Sequence, residues 1–143
     1  GRKMFGAGAC FVCHRFNNEG GAVGPDLTSV AGRFTPHDLL ESIVDPGREI
    51  SDQYGASIFK LKDGSSLVGR IMNLKENSYW INTDMMTPST ISKVDVKLIE
   101  SIEPSPVSMM PPGLLATMKQ EDILDLLAYL LASGNPQDAL FQN

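Results

Sequence analysis

Apolar positions along this chain follow two different spacings. Near both ends they recur every three or four residues, as on one face of a helix. Between about residues 50 and 103 they alternate with polar positions, as on one face of a strand. Residues 1–15 read as a short helix on which Met4, Phe5 and the pair Cys10 and Cys13 can share a face. Residues 17–28 are dense in Asn, Gly, Pro and Asp and read as loop. A second helix is expected over Pro36–Val44, with Thr35 as N-cap, Pro36 in the first helical position and Asp38 in the first turn. Its buried side would carry Leu39, Leu40, Ile43 and Val44, and Asp45-Pro46-Gly47 would end it.

The alternating stretch predicts strands over residues 56–62, 66–74 and 78–83, joined by Asp63-Gly64 and by Lys75-Glu76-Asn77. A short fourth strand fits residues 90–92. Residues 96–103 fit a fifth, or a helical turn running into a strand. Phe59, Tyr79, Trp80 and Tyr54 would give this segment a small core of its own. Pro104, Pro106, Pro111 and Pro112 exclude regular structure up to Gly113. The last helix is expected over residues 119–132, with Ile123, Leu124, Leu126, Leu127, Leu130 and Leu131 on one broad face, stopped by Ser133-Gly134-Asn135-Pro136. The expected organisation is a helical core from residues 1–49 and 104–134, a β-rich insertion over 50–103 and a loosely ordered tail over 135–143. The fold class is thus mainly α, three or so core helices, with an inserted small antiparallel sheet or barrel-like segment (α+β overall).

The 143 residues suit one domain, or one domain with a sizeable insertion. Hydrophobic residues at 42% and a mean hydropathy of -0.08 suit a chain with a packed core. A net charge of -5 and the absence of a basic run argue against a nucleic-acid partner, because phosphate binding needs clustered Lys and Arg. No apolar run approaches the roughly 20 residues of a membrane span, and the longest, around residues 123–131, is interrupted by Asp125. The chain opens at Gly1-Arg2-Lys3-Met4-Phe5, already inside an expected helix and without a signal peptide. That suggests a mature chain or a domain excised from a longer one.

The two cysteines are three positions apart and histidine follows at once: Cys10-Phe11-Val12-Cys13-His14, the C-x-x-C-H pattern of covalent haem attachment. Two thiols at this spacing on a helical turn can reach both vinyl-derived carbons of one porphyrin, with His14 projecting toward the iron. A thioredoxin-like pair would need a βαβ context, and zinc would need four ligands where the chain has only His14 and His37 as histidines. His37, beside a helix N-cap, reads as a surface residue. A metal-bound histidine usually donates its other ring N–H to a carbonyl, and the proline loop Gly24-Pro25-Asp26-Leu27 is placed to supply one.

The sixth iron ligand is expected to be methionine or histidine. Met4 reads as core, Met72, Met85 and Met86 belong to the β segment, and Met118 begins the last helix. Met109 and Met110 lie in a proline-stiffened loop. Met110 is favoured because it directly precedes Pro111, which forces it extended, with Met109 the alternative and His37 or an open site beyond that. Arg33 and Arg48 flank the second helix and could fork onto haem propionates, or be solvated surface arginines.

The C-x-x-C-H helix, the Gly-Pro-x-Leu loop, the Met-Pro loop and the ending Leu-Leu-Ala-Tyr-Leu resemble class I c-type cytochromes over about residues 1–47 and 104–134. More closely, the run Leu39-Leu40-Glu41-Ser42-Ile43-Val44-Asp45-Pro46, the Asp63-Gly64 hairpin and Met110-Pro111-Pro112-Gly113-Leu114 resemble the haem-binding domain at the C-terminal end of large planctomycete-type secreted proteins. The resemblance implies a cytochrome c fold, one covalent haem c, the Pro25 carbonyl on His14, and a terminal helix crossing the first with Phe5 or Gly6 against Tyr129. It also implies export to a periplasmic or equivalent space. The 96 positions between His14 and Met110 exceed what a minimal cytochrome needs, and the β segment accounts for the excess. Electron transfer to a redox partner protein or a fused dehydrogenase domain, rather than enzyme catalysis, is the expected function. A haem-based sensor with a labile methionine, or an interaction domain stapled by haem, are the alternatives.

Overall fold

The computed structural model describes residues 1–141, in two compact units. One comprises Gly1–Arg48 and the segment from Pro111 onward, the other Glu49–Met110.

In the first unit the expected N-terminal helix is two helices, α1 (Arg2–Ala7) and α2 (Cys10–Cys13). The break falls where Gly8 is followed by Ala9 in the left-handed region, φ 55. Where the expected helix ends at residue 15 and the expected loop begins at residue 17, a two-stranded ladder forms instead: β1 (Arg15–Phe16) pairs antiparallel with β2 (Glu19–Gly20). Asn17 and Asn18, at φ 50 and 65, make the turn. Two consecutive left-handed residues match the twist of a tight hairpin, and Asn tolerates that region best after Gly.

Helix α3 (Pro36–Val44) has the expected cap, and Thr35 Oγ1 accepts from the Asp38 N–H at 3.1 Å and donates to Asp38 Oδ2 at 2.6 Å. The Thr35 hydroxyl holds the Asp38 carboxyl below its usual range. Thr35→Ala is expected to lower stability by about 1 kcal/mol in thermal or urea unfolding. A carboxylate depressed in the folded state stabilises above its unfolded pKa and loses that contribution as pH falls through the folded value. The difference between the two proteins should therefore shrink in acid, below about pH 4. Leu39 is buried and Leu40 and Ile43 pack on the core, but Val44, expected inward, is 59% exposed.

Helix α4 (Gln120–Leu131) buries Leu126, Leu127 and Leu130 against Phe5, Phe16, Val30 and Leu39. Leu124, assigned to its buried face, is 56% exposed. Phe5, Phe16 and Tyr129 form an aromatic triad with centroids 4.9–6.0 Å apart, a spacing that favours tilted ring contacts. Phe5 meets Tyr129 as the resemblance implies. Gly6 has open space where a Cβ would stand, and Gly1 instead lies so close to Tyr129 and the Asp125 carbonyl that a side chain there would clash. Within the tail, residues 139–141 form a 3-10 turn. Residues 142–143 lie outside the described residues.

In the second unit β3 (Ser57–Leu61), β4 (Ser66–Lys75), β5 (Ser78–Asn82), β6 (Ile91–Asp95) and β7 (Ile99–Pro104) form one antiparallel sheet in the order β6-β5-β4-β3-β7. β4 is shared: residues 66–69 pair with β3 and residues 70–75 with β5, with a register shift between Ile71 and Asn73. The two edge strands are successive in the chain, joined only by the 3-10 turn Val96–Leu98. Flat, they would stand about 19 Å apart at ~4.8 Å per strand, while the four steps from Asp95 to Ile99 reach at most ~14 Å. The sheet must therefore curl. Its inner face buries Phe59, Ile81 and Val94, flanked by Leu61, Leu67, Tyr79 and Ile99. Trp80 and Tyr54 do not join this core. Trp80 alternates to the other face, with the Lys93 ammonium 4.1 Å from its ring, and Arg70 covers Tyr54 at 4.5 Å.

The expectation of a mainly α cytochrome c fold is overturned. Among the described residues helix amounts to 28%, four short α-helices together with three 3-10 turns, and the largest regular element is the five-stranded sheet. The physical reason is twofold. The Gly8–Ala9 break reduces the N-terminal helix to two short pieces, and the residues outside the helices go largely into strands and proline-rich loop rather than extending them.

Candidate functional site

The site is built on α2 and the loop that follows. Cys10 and Cys13 open and close this single helical turn, so their side chains leave the same face. Both are half-buried thiols, and burial raises the Cys10 thiol above its usual value. His14 caps the turn through its N–H to the Cys10 carbonyl, 2.9 Å, and then turns extended at φ -104, ψ 138.

His14 Nδ1 lies 2.7 Å from the Pro25 carbonyl oxygen. A carbonyl only accepts, so Nδ1 carries the proton and Nε2 keeps its lone pair. Burial pushes the imidazole toward its neutral form, the form that ligates metals, while the Pro25 carbonyl pulls the other way. The loop is laced to the turn by three further bonds of 2.8 Å: Gly21, Gly24 and Leu27 donate to the carbonyls of Phe11, Cys13 and Arg15. This backbone lacing is not legible in the sequence, where Gly20-Gly21 reads as loop and Gly24-Pro25 as the source of a carbonyl for His14.

The donor set fits a covalently held haem better than a bare ion. Among the described residues, the one group of three or more ligand atoms close enough for an ion is His37, Asp38 and Glu41, not the cysteines and His14. A haem places no such demand, since its iron takes the histidine while the thiols bond the porphyrin rim. His37 itself is a surface side chain, 83% exposed.

Of the other candidates, Arg48 is held by Glu41 at 2.6 Å and Arg33 is exposed. Met109 and Met110 are half-buried and close the second unit, where the Met110 N–H donates to Ser108 Oγ at 3.1 Å. Among the described residues no helix is long and apolar enough to cross a membrane. No protein-family model matches the chain, and comparison with curated proteins finds no match.

Proposed function

We propose that this chain is a monohaem c-type cytochrome domain that passes single electrons. The observation that carries this reading is His14: its tautomer is set by the Pro25 carbonyl, its Nε2 lone pair is kept, and two thiols of one helical turn immediately precede it. Cys10 and Cys13 would hold the haem as thioethers and His14 would ligate its iron. A bound haem would supply a one-electron iron couple. The protein's part is to keep the ligand oriented: a histidine locked through its second nitrogen is a stronger, less mobile ligand than a free one.

Met110 would be the second residue to hold the haem iron, with Met109 the alternative. A His/Met pair would saturate the iron and raise its potential, which suits electron transfer rather than ligand capture. Met110→Ala is expected to abolish the methionine-to-iron charge-transfer band near the red edge and to let the reduced protein bind carbon monoxide, while Met109→Ala keeps the band. A band that survives in Met110→Ala removes Met110 from the assignment. Rapid carbon monoxide binding by the unaltered protein would favour a ligand-binding haem module instead. The proposal carries with it an exported location, since the resemblance places attachment through this motif outside the cytoplasmic membrane. It also carries a redox partner, either a separate protein or a dehydrogenase domain of the same chain.

A further inference from the structure

The geometry points to Gly24 as a positioning residue whose missing Cβ leaves the His14 ring room to reach the Pro25 carbonyl, an inference that rests on the haem reading above. The hydrogen bond from Nδ1 to Pro25 holds the imidazole against rotation about its Cβ–Cγ bond, because Nδ1 lies off that axis. Gly24 keeps open the space beside that ring edge. A Cβ at this position would stand 3.0 Å from His14 Cε1, 3.1 Å from Nδ1 and 3.3 Å from the Cys13 carbonyl oxygen, so a side chain here would crowd the ring edge. That backbone cannot retreat. The Gly24 N–H is bonded to the Cys13 carbonyl at 2.8 Å, and the loop is tied again at Gly21 and Leu27. Gly20 and Gly21 approach more closely still: side chains there would collide with the carbonyls of His14 and Val12. The loop can follow the cysteine turn this closely only because three of its residues lack a Cβ.

The consequence is specific to the ligand. Added bulk at residue 24 has a flexible neighbour in the imidazole and rigid ones in the backbone, so the ring gives way first and swings off the Pro25 carbonyl. A histidine that donates less strongly through Nδ1 is less basic at Nε2. The ferric state, which gains most from a basic ligand, loses more than the ferrous. Gly24→Ala should therefore keep its covalent haem, with the midpoint potential shifted upward and the ferric electron-paramagnetic-resonance g-values displaced. Gly32→Ala, where a Cβ meets nothing within 4 Å, should change neither. Because Gly24→Ala could fail to fold, the unaltered ferrous protein gives a second reading: a nuclear Overhauser effect between the Gly24 α-protons and His14 Hε1. An unchanged potential and g-values in Gly24→Ala, or absence of that Overhauser effect, overturns the inference while leaving the haem reading intact. An unaltered chain that carries no covalent haem overturns the haem reading itself, and this inference with it.

Discussion

Replacing Cys10 and Cys13 together with alanine is expected to abolish covalent haem. A chain matured alongside c-type haem-attachment machinery should fall from one haem that resists acidified organic solvent to none. His14 remains in that variant, with its Pro25 bond, but coordination alone does not survive extraction. The single variants separate the two thiols. Each should retain haem through one thioether, with its pyridine haemochrome band displaced toward the red because one vinyl group stays unsaturated. Zinc gives a contrasting pattern, in which the unaltered chain would bring down metal without porphyrin. The lack of a three-ligand cluster at the cysteines argues against it. Haem that still resists extraction in the double variant would contradict the role given to both thiols.

The second large effect is expected from Phe59→Ala. Phe59 is fully buried between β4 and β7 and centres the inner face of the curled sheet, where its ring lies 5.6 Å from that of Tyr79. Truncating a buried phenylalanine costs about 3–5 kcal/mol. The unit spans residues 49 through 110, and a segment of that size has a total stability of roughly 3–9 kcal/mol at the usual value per residue. The substitution thus removes from about a third of it to all of it. Amide exchange across β3 to β7 should become fast, with loss of strand signal. Covalent haem should persist, because Cys10, Cys13, His14 and Pro25 all belong to the other unit. Protected strand amides in Phe59→Ala would show that the sheet does not depend on this core.

Much of the local structure could be read from the residues. Thr35-Pro36 and Asp45-Pro46-Gly47 delimit α3 to the residue, and the alternation after residue 56 locates β3, β4 and β5 within a residue or so. The 3-10 turn leading into β7 was legible at Val96. The contact of His14 with the proline loop could be anticipated because a metal-bound histidine usually donates its second ring N–H to a carbonyl, and Pro25 as the acceptor is what the resemblance to c-type cytochromes implies. What could not be read depends on tertiary packing. Helical periodicity in residues 1–15 continues through Gly8 and Ala9, and only the left-handed turn at Ala9 reveals the break. Trp80 looks like core by size, yet strand alternation from Ile81 puts it on the outer face under Lys93. Val44 fits the helix stripe but is the last residue of α3 and stays exposed. The glycines at 20, 21 and 24 have turn composition, and nothing in their spacing says that each touches the cysteine turn.

The mass of the intact chain, produced for export together with c-type maturation machinery, tests the central claim most directly. The account predicts the polypeptide mass plus one haem, with Cys10 and Cys13 both inert to alkylation. The bare polypeptide mass, with two thiols that alkylate, would contradict it.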